Sequence, residues 1–223
     1  MIQHVFERAL QARYVSHLII ATDDERIARE CRTFGAPVQM TRPDHASGTD
    51  RVAEVASAHP AEVVVNIQGD EPLIDPLAID AVVLSVLEDP DVCMGTLMHR
   101  IGNLDDLHDP NVVKVVSDLS GNAIYFSRSP IPFVRGDGPA QHFKHVGLYV
   151  YRRDFLLSYS DLPVGPLEQA ERLEQLRALE NGYRIRVVET DYDSIGVDTP
   201  EDHARVSQMF EGSLSTTSPS HHG

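Results

Sequence analysis

Two acidic residues far apart in the chain stand where acids can do chemistry. Asp70 closes the run Val63-Val64-Val65-Asn66-Ile67-Gln68-Gly69-Asp70-Glu71-Pro72. Three β-branched residues followed by Ile67 predict a strand buried on both faces, of the kind found inside a mostly parallel sheet. Gly69 ends it, so Asp70 falls at the strand's carboxyl end, the edge where open α/β sheets bind ligands. Asp198 lies in Gly196-Val197-Asp198-Thr199-Pro200-Glu201-Asp202, between a strand region and a capped helix. Two carboxylates so placed can share a Mg²⁺ ion, which takes one or two protein carboxylates and fills its octahedron with water and phosphate oxygens. Each acid also has an ordinary alternative: Asp70 as the start of a turn, Asp198 as part of a helix start.

Composition narrows the partners. The 223 residues are 42% hydrophobic and 24% charged, with a net charge of −15, which suits a soluble globular α/β domain. That charge argues against a nucleic-acid or membrane-surface binder, since either needs a basic face. An anionic substrate must then be met by a few placed cations or a metal. Cys31 and Cys93 sit in apolar patterns without metal-ligand spacing, so a reduced, cytoplasmic protein is expected. No apolar run reaches the roughly 20 residues a membrane span needs, and no signal peptide is visible.

The elements that must position these residues follow in order. Ile2, Val5, Phe6, Ala9 and Leu10 have helical spacing. Leu18 to Thr22 and Val38 to Met40 are short strands around a helix faced by Ile27, Ala28, Cys31 and Phe34. Thr41 to Thr49 is a polar loop, and Val52, Ala53 and Ala56 mark the next helix. Asp75-Pro76 starts another helix, with proline at its first position. Val92 to Met98 is a strand, and Val112 to Val116 and Ala123 to Phe126 form a hairpin across Gly121-Asn122. Val146 to Tyr151 and Arg184 to Val188 are further strands. Gly165-Pro166 opens one long helix ending at Asn181-Gly182, with Leu167, Ala170, Leu173, Leu176 and Leu179 as its buried stripe. Thr199-Pro200-Glu201-Asp202 is a capping box for the last helix. The division predicted is one domain over residues 1–210, with a β-rich excursion near 110–150, and a disordered tail at 211–223.

Taken together, several stretches resemble the 3-deoxy-manno-octulosonate cytidylyltransferases, or CMP-Kdo synthetases. They are Thr41 to Arg51, Asn66 to Pro72, Asn111 to Val116, Tyr125-Phe126-Ser127-Arg128, His145-Val146-Gly147-Leu148-Tyr149, Pro166-Leu167-Glu168, Leu173-Glu174-Gln175-Leu176-Arg177 and Gly196 to Asp202. The resemblance covers nearly all of residues 1–210. It implies a Rossmann-like nucleotidyltransferase sheet, a homodimer built through the β excursion, and the reaction of CTP with Kdo to give CMP-Kdo and pyrophosphate for lipopolysaccharide synthesis. By motif position it implies Asp70 and Asp198 as the catalytic pair holding Mg²⁺. Arg42, Ser47, Gly48 and Gln68 would lie around CTP, and Arg128, His145, Tyr149, Glu174 and Gln175 would face Kdo.

Other readings stand beside these. Glu168 with Arg172, or Glu171 with Gln175, have the spacing of ordinary solvated helix pairs. His145 alone would be a core histidine, and Arg42 a surface arginine. The same family pattern admits a cytidylyltransferase for another acidic sugar such as a sialate, or a non-catalytic nucleotide-sugar-binding relative. Family members begin with a strand and an Arg/Lys-bearing loop that wraps the triphosphate, whereas Met1-Ile2-Gln3-His4 matches the helix after it. Met1 is therefore expected to be internal to a longer frame, or the chain to be a short form with weak activity. Without that central strand, two sheet neighbours should be left with open edges.

Overall fold

The computed structural model describes residues 1–136, 141–194, 196–197 and 199–215. The chain opens with α1 (Ile2–Ala9), which buries Val5 and Ala9 and leaves Leu10 exposed. β1 (Ile20–Thr22) and β2 (Val38–Met40) flank α2 (Glu25–Thr33), whose first turn is capped by the Asp24 carboxylate on Arg26 N–H. β1 and β2 run parallel as a two-stranded sheet of their own. α3 (Gly48–Ala58) follows, capped by Ser47, and leads into β3 (Val63–Asn66).

α4 (Pro76–Leu87) begins as predicted: the Asp75 carboxylate accepts from Leu77 N–H, and Pro76 occupies the first turn. Next come β4 (Val92–Arg100), the short α5 (Leu104–His108), and the expected hairpin of β5 (Lys114–Ser117) and β6 (Ala123–Ser127). β7 (Phe143–Arg152) is the organising strand. It runs antiparallel to β4 along its length, meets β5 at Phe143 and Lys144, and meets β3 from Tyr149 to Arg152. α6 (Arg153–Tyr159), α7 (Pro166–Glu171), α8 (Leu176–Glu180) and β8 (Arg184–Glu189) follow, with β8 parallel to β4.

Helices cover both faces of this mixed sheet. On one face α1 and α4 bury Val5, Ile79, Val82, Val83 and Val86 against Val92, Leu97, Val146, Leu148 and Val150. On the other, α3, α6 and α8 bury Phe155, Leu156, Tyr159 and Leu176 against Met94, Phe126, Tyr151 and Ile185. The result is an α/β Rossmann-like architecture of three layers.

Gly95 shows how closely α4 lies on β4. A Cβ there would stand 2.6 Å from Val86 Cγ2 and 2.9 Å from Val82 Cγ2. Gly95→Ala should thus force α4 outward and destabilise the protein by about 1–3 kcal/mol. A thermal melt reads this as a drop of roughly 2–4 °C per kcal/mol. An unchanged melting temperature would mean the helix moves freely.

Three expectations need correction. β3 is not a strand inside a parallel sheet: among the described residues it pairs with β7 alone, antiparallel, and Val63, Val64 and Val65 are only half-buried. Its valines mark burial, but no second neighbour is laddered to it, since β1 belongs to the separate two-stranded sheet. The long helix predicted over 166–181 is two helices, broken at Arg172, whose φ of 53° is left-handed. Of its expected stripe, Leu173 and Leu176 are buried, while Leu167 is 42% exposed. Last, α9 (Pro200–Ser215) runs beyond the predicted boundary at 210, so residues 211–215 are helical and not tail. Its capping box forms as expected, with Thr199 Oγ1 accepting from Asp202 N–H at 3.1 Å, and the sequence places no proline between Pro200 and Pro219 to interrupt propagation. Residues 216–223 lie outside the described residues.

Candidate active site

Asp70 occupies a turn just past the end of β3, partly exposed. Its carbonyl accepts from Val197 N–H at 3.0 Å, which brings the Gly196-Val197 stretch against the Asp70 turn. Asp198 itself lies outside the described residues. The Asp70 carboxylate has no hydrogen bond or ion pair among the described residues, and its neighbour Glu71 is buried. Burial raises Glu71 above the usual glutamate range; hydrogen bonds from Ser194 and Tyr192 oppose this, and the charge on Asp70 adds to it. Tyr192 Oη donates to Glu71 Oε2 at 3.3 Å. Glu71 thereby ties the Asp70 turn to the segment that leads to residue 196. Two adjacent acids, one buried and one unpaired, form a hard-oxygen, negatively charged corner that suits a divalent cation. No cluster of three or more His, Cys, Asp or Glu that could hold a metal occurs among the described residues.

The loop over 41–49 is held against α3 by His45 Nε2 on the Glu54 carboxylate and by Arg51 Nη1, which donates to Thr41 Oγ1, while Arg51 Nη2 pairs with Asp23 at 3.1 Å. Arg42 is largely solvent-exposed, 3.7 Å from Glu54 and 3.8 Å from Asp44. Gln68 is exposed, with Nε2 donating to Asn66 Oδ1 at 3.3 Å. Gly48 begins α3 with open space where a Cβ would be, so its backbone can be closely approached. Ser47 does two jobs. Its Oγ accepts from Asp50 N–H at 3.2 Å and donates to Glu174 Oε1 at 3.1 Å.

That last bond joins the loop to the break between α7 and α8. Burial raises the Glu174 carboxyl above its usual range, and hydrogen bonds from Ser47 and Thr49 offset part of the rise. Gln175, 4% exposed, leaves its Nε2 donor without a partner among the described residues. A buried amide donor in that condition calls for an acceptor from elsewhere.

The break has a visible cause. Glu171 is drawn to the end of β6, where it accepts from Ser127 Oγ at 2.7 Å, Tyr125 Oη at 3.3 Å and Arg128 N–H at 2.9 Å. Burial pushes its carboxyl up, but these bonds outweigh it and hold Glu171 below the usual range. From the other side, Glu180 accepts from Leu167 and Glu168 N–H at 2.8 and 3.0 Å, capping α7. Glu168 pairs with Arg177 through two bonds of 2.8 and 2.6 Å. Neither solvated pair suggested by helical spacing forms: Glu168 takes Arg177 in place of Arg172, and Glu171 takes the β6 end in place of Gln175.

Arg128 is fixed by the same network. Its Nε donates to Glu171 O and its Nη1 to Pro110 O, each at 2.8 Å, while Nη2 has no partner among the described residues. His145 and Tyr149 lie on β7 with ring centroids 5.3 Å apart, and Tyr149 stands opposite Asn66 of β3. Burial drives the Tyr149 phenol well above its usual pKa and holds His145 down to about 3, so both are neutral at physiological pH. His145 also lines a pocket of about 310 Å³ with Asn111, Val113, Lys144, Gly147 and Ser194.

The Cytidylyltransferase family profile matches residues 1–185. The chain belongs to the cytidylyltransferase family. Among curated proteins, this cytidylyltransferase is 68% identical over 215 residues to the 3-deoxy-manno-octulosonate cytidylyltransferase of Solibacter usitatus, covering 96% of this chain and 85% of that protein. It is 57% identical to the protein of the same name from Geobacter sulfurreducens, covering 95% and 89%. A solved structure described as CMP:2-keto-3-deoxy-manno-octonic acid synthetase complexed with CTP superposes with a TM-score of 0.91 at 44% identity, covering 95% of this chain and 88% of that one. The enzyme is a nucleotidyltransferase.

Of the residues expected at the site, direct contact joins Ser47 with Glu174, and ring contact joins His145 with Tyr149. Arg42 and Gln68 meet none of the others through a hydrogen bond or ion pair among the described residues. Glu71 and Glu171 are not among the residues expected at the site. Glu71 lies inside the quoted Asn66–Pro72 run, but its partner Tyr192 is 121 positions away. Glu171's partners lie 43 to 46 positions back, in Tyr125 to Arg128.

Proposed function

We infer that this cytidylyltransferase transfers CMP from CTP to Kdo, releasing pyrophosphate. The observation that supports the reading is the Ser47–Glu174 bond at 3.1 Å, which joins the 41–49 loop to the turn between α7 and α8. The names of its relatives and the CTP-bound neighbour support the same substrates.

In the reaction, the anomeric hydroxyl of Kdo attacks the α-phosphorus, the new P–O bond forms, and the bond to the pyrophosphate oxygen breaks. The chain's residues act by positioning and charge. Asp70 and Asp198 would hold Mg²⁺, which neutralises charge along the phosphate chain when bound. The free edge of Arg128 meets the Kdo carboxylate, oriented by Glu171 and Pro110. Glu174 accepts from sugar hydroxyls, and the orphaned Gln175 amide donates to one. Arg42, Gly48 and Gln68 border the nucleotide. A homodimer through the 110–150 excursion is supported by its exposed Leu119, Ile124 and Phe133. A cytoplasmic place and a role in lipopolysaccharide synthesis belong to the same proposal.

Pyrophosphate release is the test. It should require CTP, Mg²⁺ and Kdo together and fall to background when a sialate replaces Kdo or no sugar is added. Equal release with the sialate would overturn the sugar assignment.

Glu174→Gln separates binding from stability. A carboxyl whose folded pKa is raised penalises the folded state once ionised, so the penalty is absent below the unfolded pKa and complete above the folded one. The amide keeps an acceptor for Ser47 without the charge. The variant should therefore melt no lower than wild type at pH 8, the difference fading as pH falls toward 4, while the KM for Kdo rises roughly fivefold for one weakened hydrogen bond. A lower melting temperature at pH 8 would show that the ionised carboxylate stabilises the fold.

A further inference from the structure

We propose that Thr96 is a positioning residue that sets the tautomer of His145, keeping the proton on Nε2 and leaving Nδ1 as an acceptor for a hydroxyl of the bound sugar. The inference rests on the proposed transfer to Kdo and on His145 facing that sugar, as the family resemblance implies, and it adds a residue and a direction of hydrogen bonding.

The argument starts from an irregularity in the sheet. Thr96 pairs with Tyr149, but Leu97 pairs with Val146, so β7 carries two extra residues, Gly147 and Leu148, at this point. Such a bulge disrupts the ladder and leaves carbonyls in need of donors. Thr96 is fully buried and stands beside it. Its Oγ1 lies 2.8 Å from Leu148 O, 3.1 Å from Val146 O and 2.8 Å from His145 Nε2.

A threonine hydroxyl has one proton, and a carbonyl oxygen only accepts. The proton must therefore go to Leu148 O or Val146 O; otherwise oxygen lone pairs would face each other at 2.8 Å. Having given its proton to a carbonyl, Oγ1 can only accept from the ring. Nε2 is then the protonated nitrogen. Burial keeps the ring neutral, so Nδ1 carries a lone pair. Among the described residues nothing donates to it. Phe126 packs edge-on to the ring at 5.1 Å and Tyr149 lies 5.3 Å away, which fixes the ring plane. A neutral acceptor so held suits a sugar hydroxyl and gives no attraction to a phosphate.

The experiment is a long-range ¹H–¹⁵N correlation on the whole protein labelled with ¹⁵N-histidine, the His145 signals being assigned by their loss in His145→Gln. Wild type should show a protonated Nε2 and a bare Nδ1 at neutral pH, and Kdo with a non-reacting CTP analogue should shift Nδ1. Thr96→Val removes the acceptor with little change of shape. It should release the tautomer to a mixture and raise the KM for Kdo roughly fivefold, the value of one hydrogen bond, with the KM for CTP within about twofold. Thr96→Ser should restore both. A bare Nε2 in wild type overturns the role of Thr96 directly, without any variant. A protonated Nε2 with Nδ1 unmoved by the sugar overturns the acceptor role and, with it, the placing of His145 against Kdo. If Kdo supports no pyrophosphate release at all, it is the functional reading that fails, and the ligand-free spectrum still decides the tautomer.

Discussion

Asp70→Asn should lower kcat for pyrophosphate release by roughly 10²–10³-fold, the scale on which removal of one transition-state-stabilising group acts. The change keeps the size of the side chain and removes a charge that has no hydrogen bond or ion pair among the described residues. It also relieves the buried Glu71 of a neighbouring negative charge. Melting temperature should therefore stay level or rise slightly, which separates this loss from unfolding. In wild type, added Mg²⁺ should raise the melting temperature in the presence of a non-reacting CTP analogue by linkage. In Asp70→Asn that rise should disappear. Near-normal turnover at saturating Mg²⁺ would remove Asp70 from the metal site.

Arg128→Ala should raise the KM for Kdo by roughly 10- to 100-fold, since a charge-assisted arginine–carboxylate contact is worth about 1.5–3 kcal/mol. The KM for CTP should move less than about threefold. Arg128→Lys should recover only part of the loss, because a point charge cannot reproduce a fork already anchored by Glu171 and Pro110. The alanine variant also frees Glu171 O and Pro110 O, so a modest fall in melting temperature accompanies it. Equal effects on both substrates in steady-state kinetics would move Arg128 out of the sugar pocket.

Local signals carried much of the fold. The Asp75-Pro76 start, the Gly121-Asn122 hairpin and the Thr199–Asp202 capping box each rest on neighbouring residues in the chain, and each forms as expected. What failed was set at long range. Leucines at helical spacing across 167–179 describe one helix, but Ser127, Arg128 and Tyr125 compete for Glu171 and turn the chain at Arg172. That turn is what delivers Glu174 to Ser47 and buries Gln175. The three valines of β3 announce burial without naming neighbours, and the neighbour is β7, far along the chain and running antiparallel. Among site residues, acids and arginines inside long motifs could be singled out. Thr96 could not, because its role depends on a bulge in another strand.

The central claim is tested most directly by following the phosphorus atoms of CTP by ³¹P NMR during incubation with this chain, Kdo and Mg²⁺. The three CTP signals should give way to pyrophosphate and a single phosphodiester signal coupled to the sugar, with no change when Kdo or Mg²⁺ is omitted. CTP signals that persist with every component present, or that pass to free CMP without a sugar adduct, would contradict the assignment of CMP transfer to Kdo.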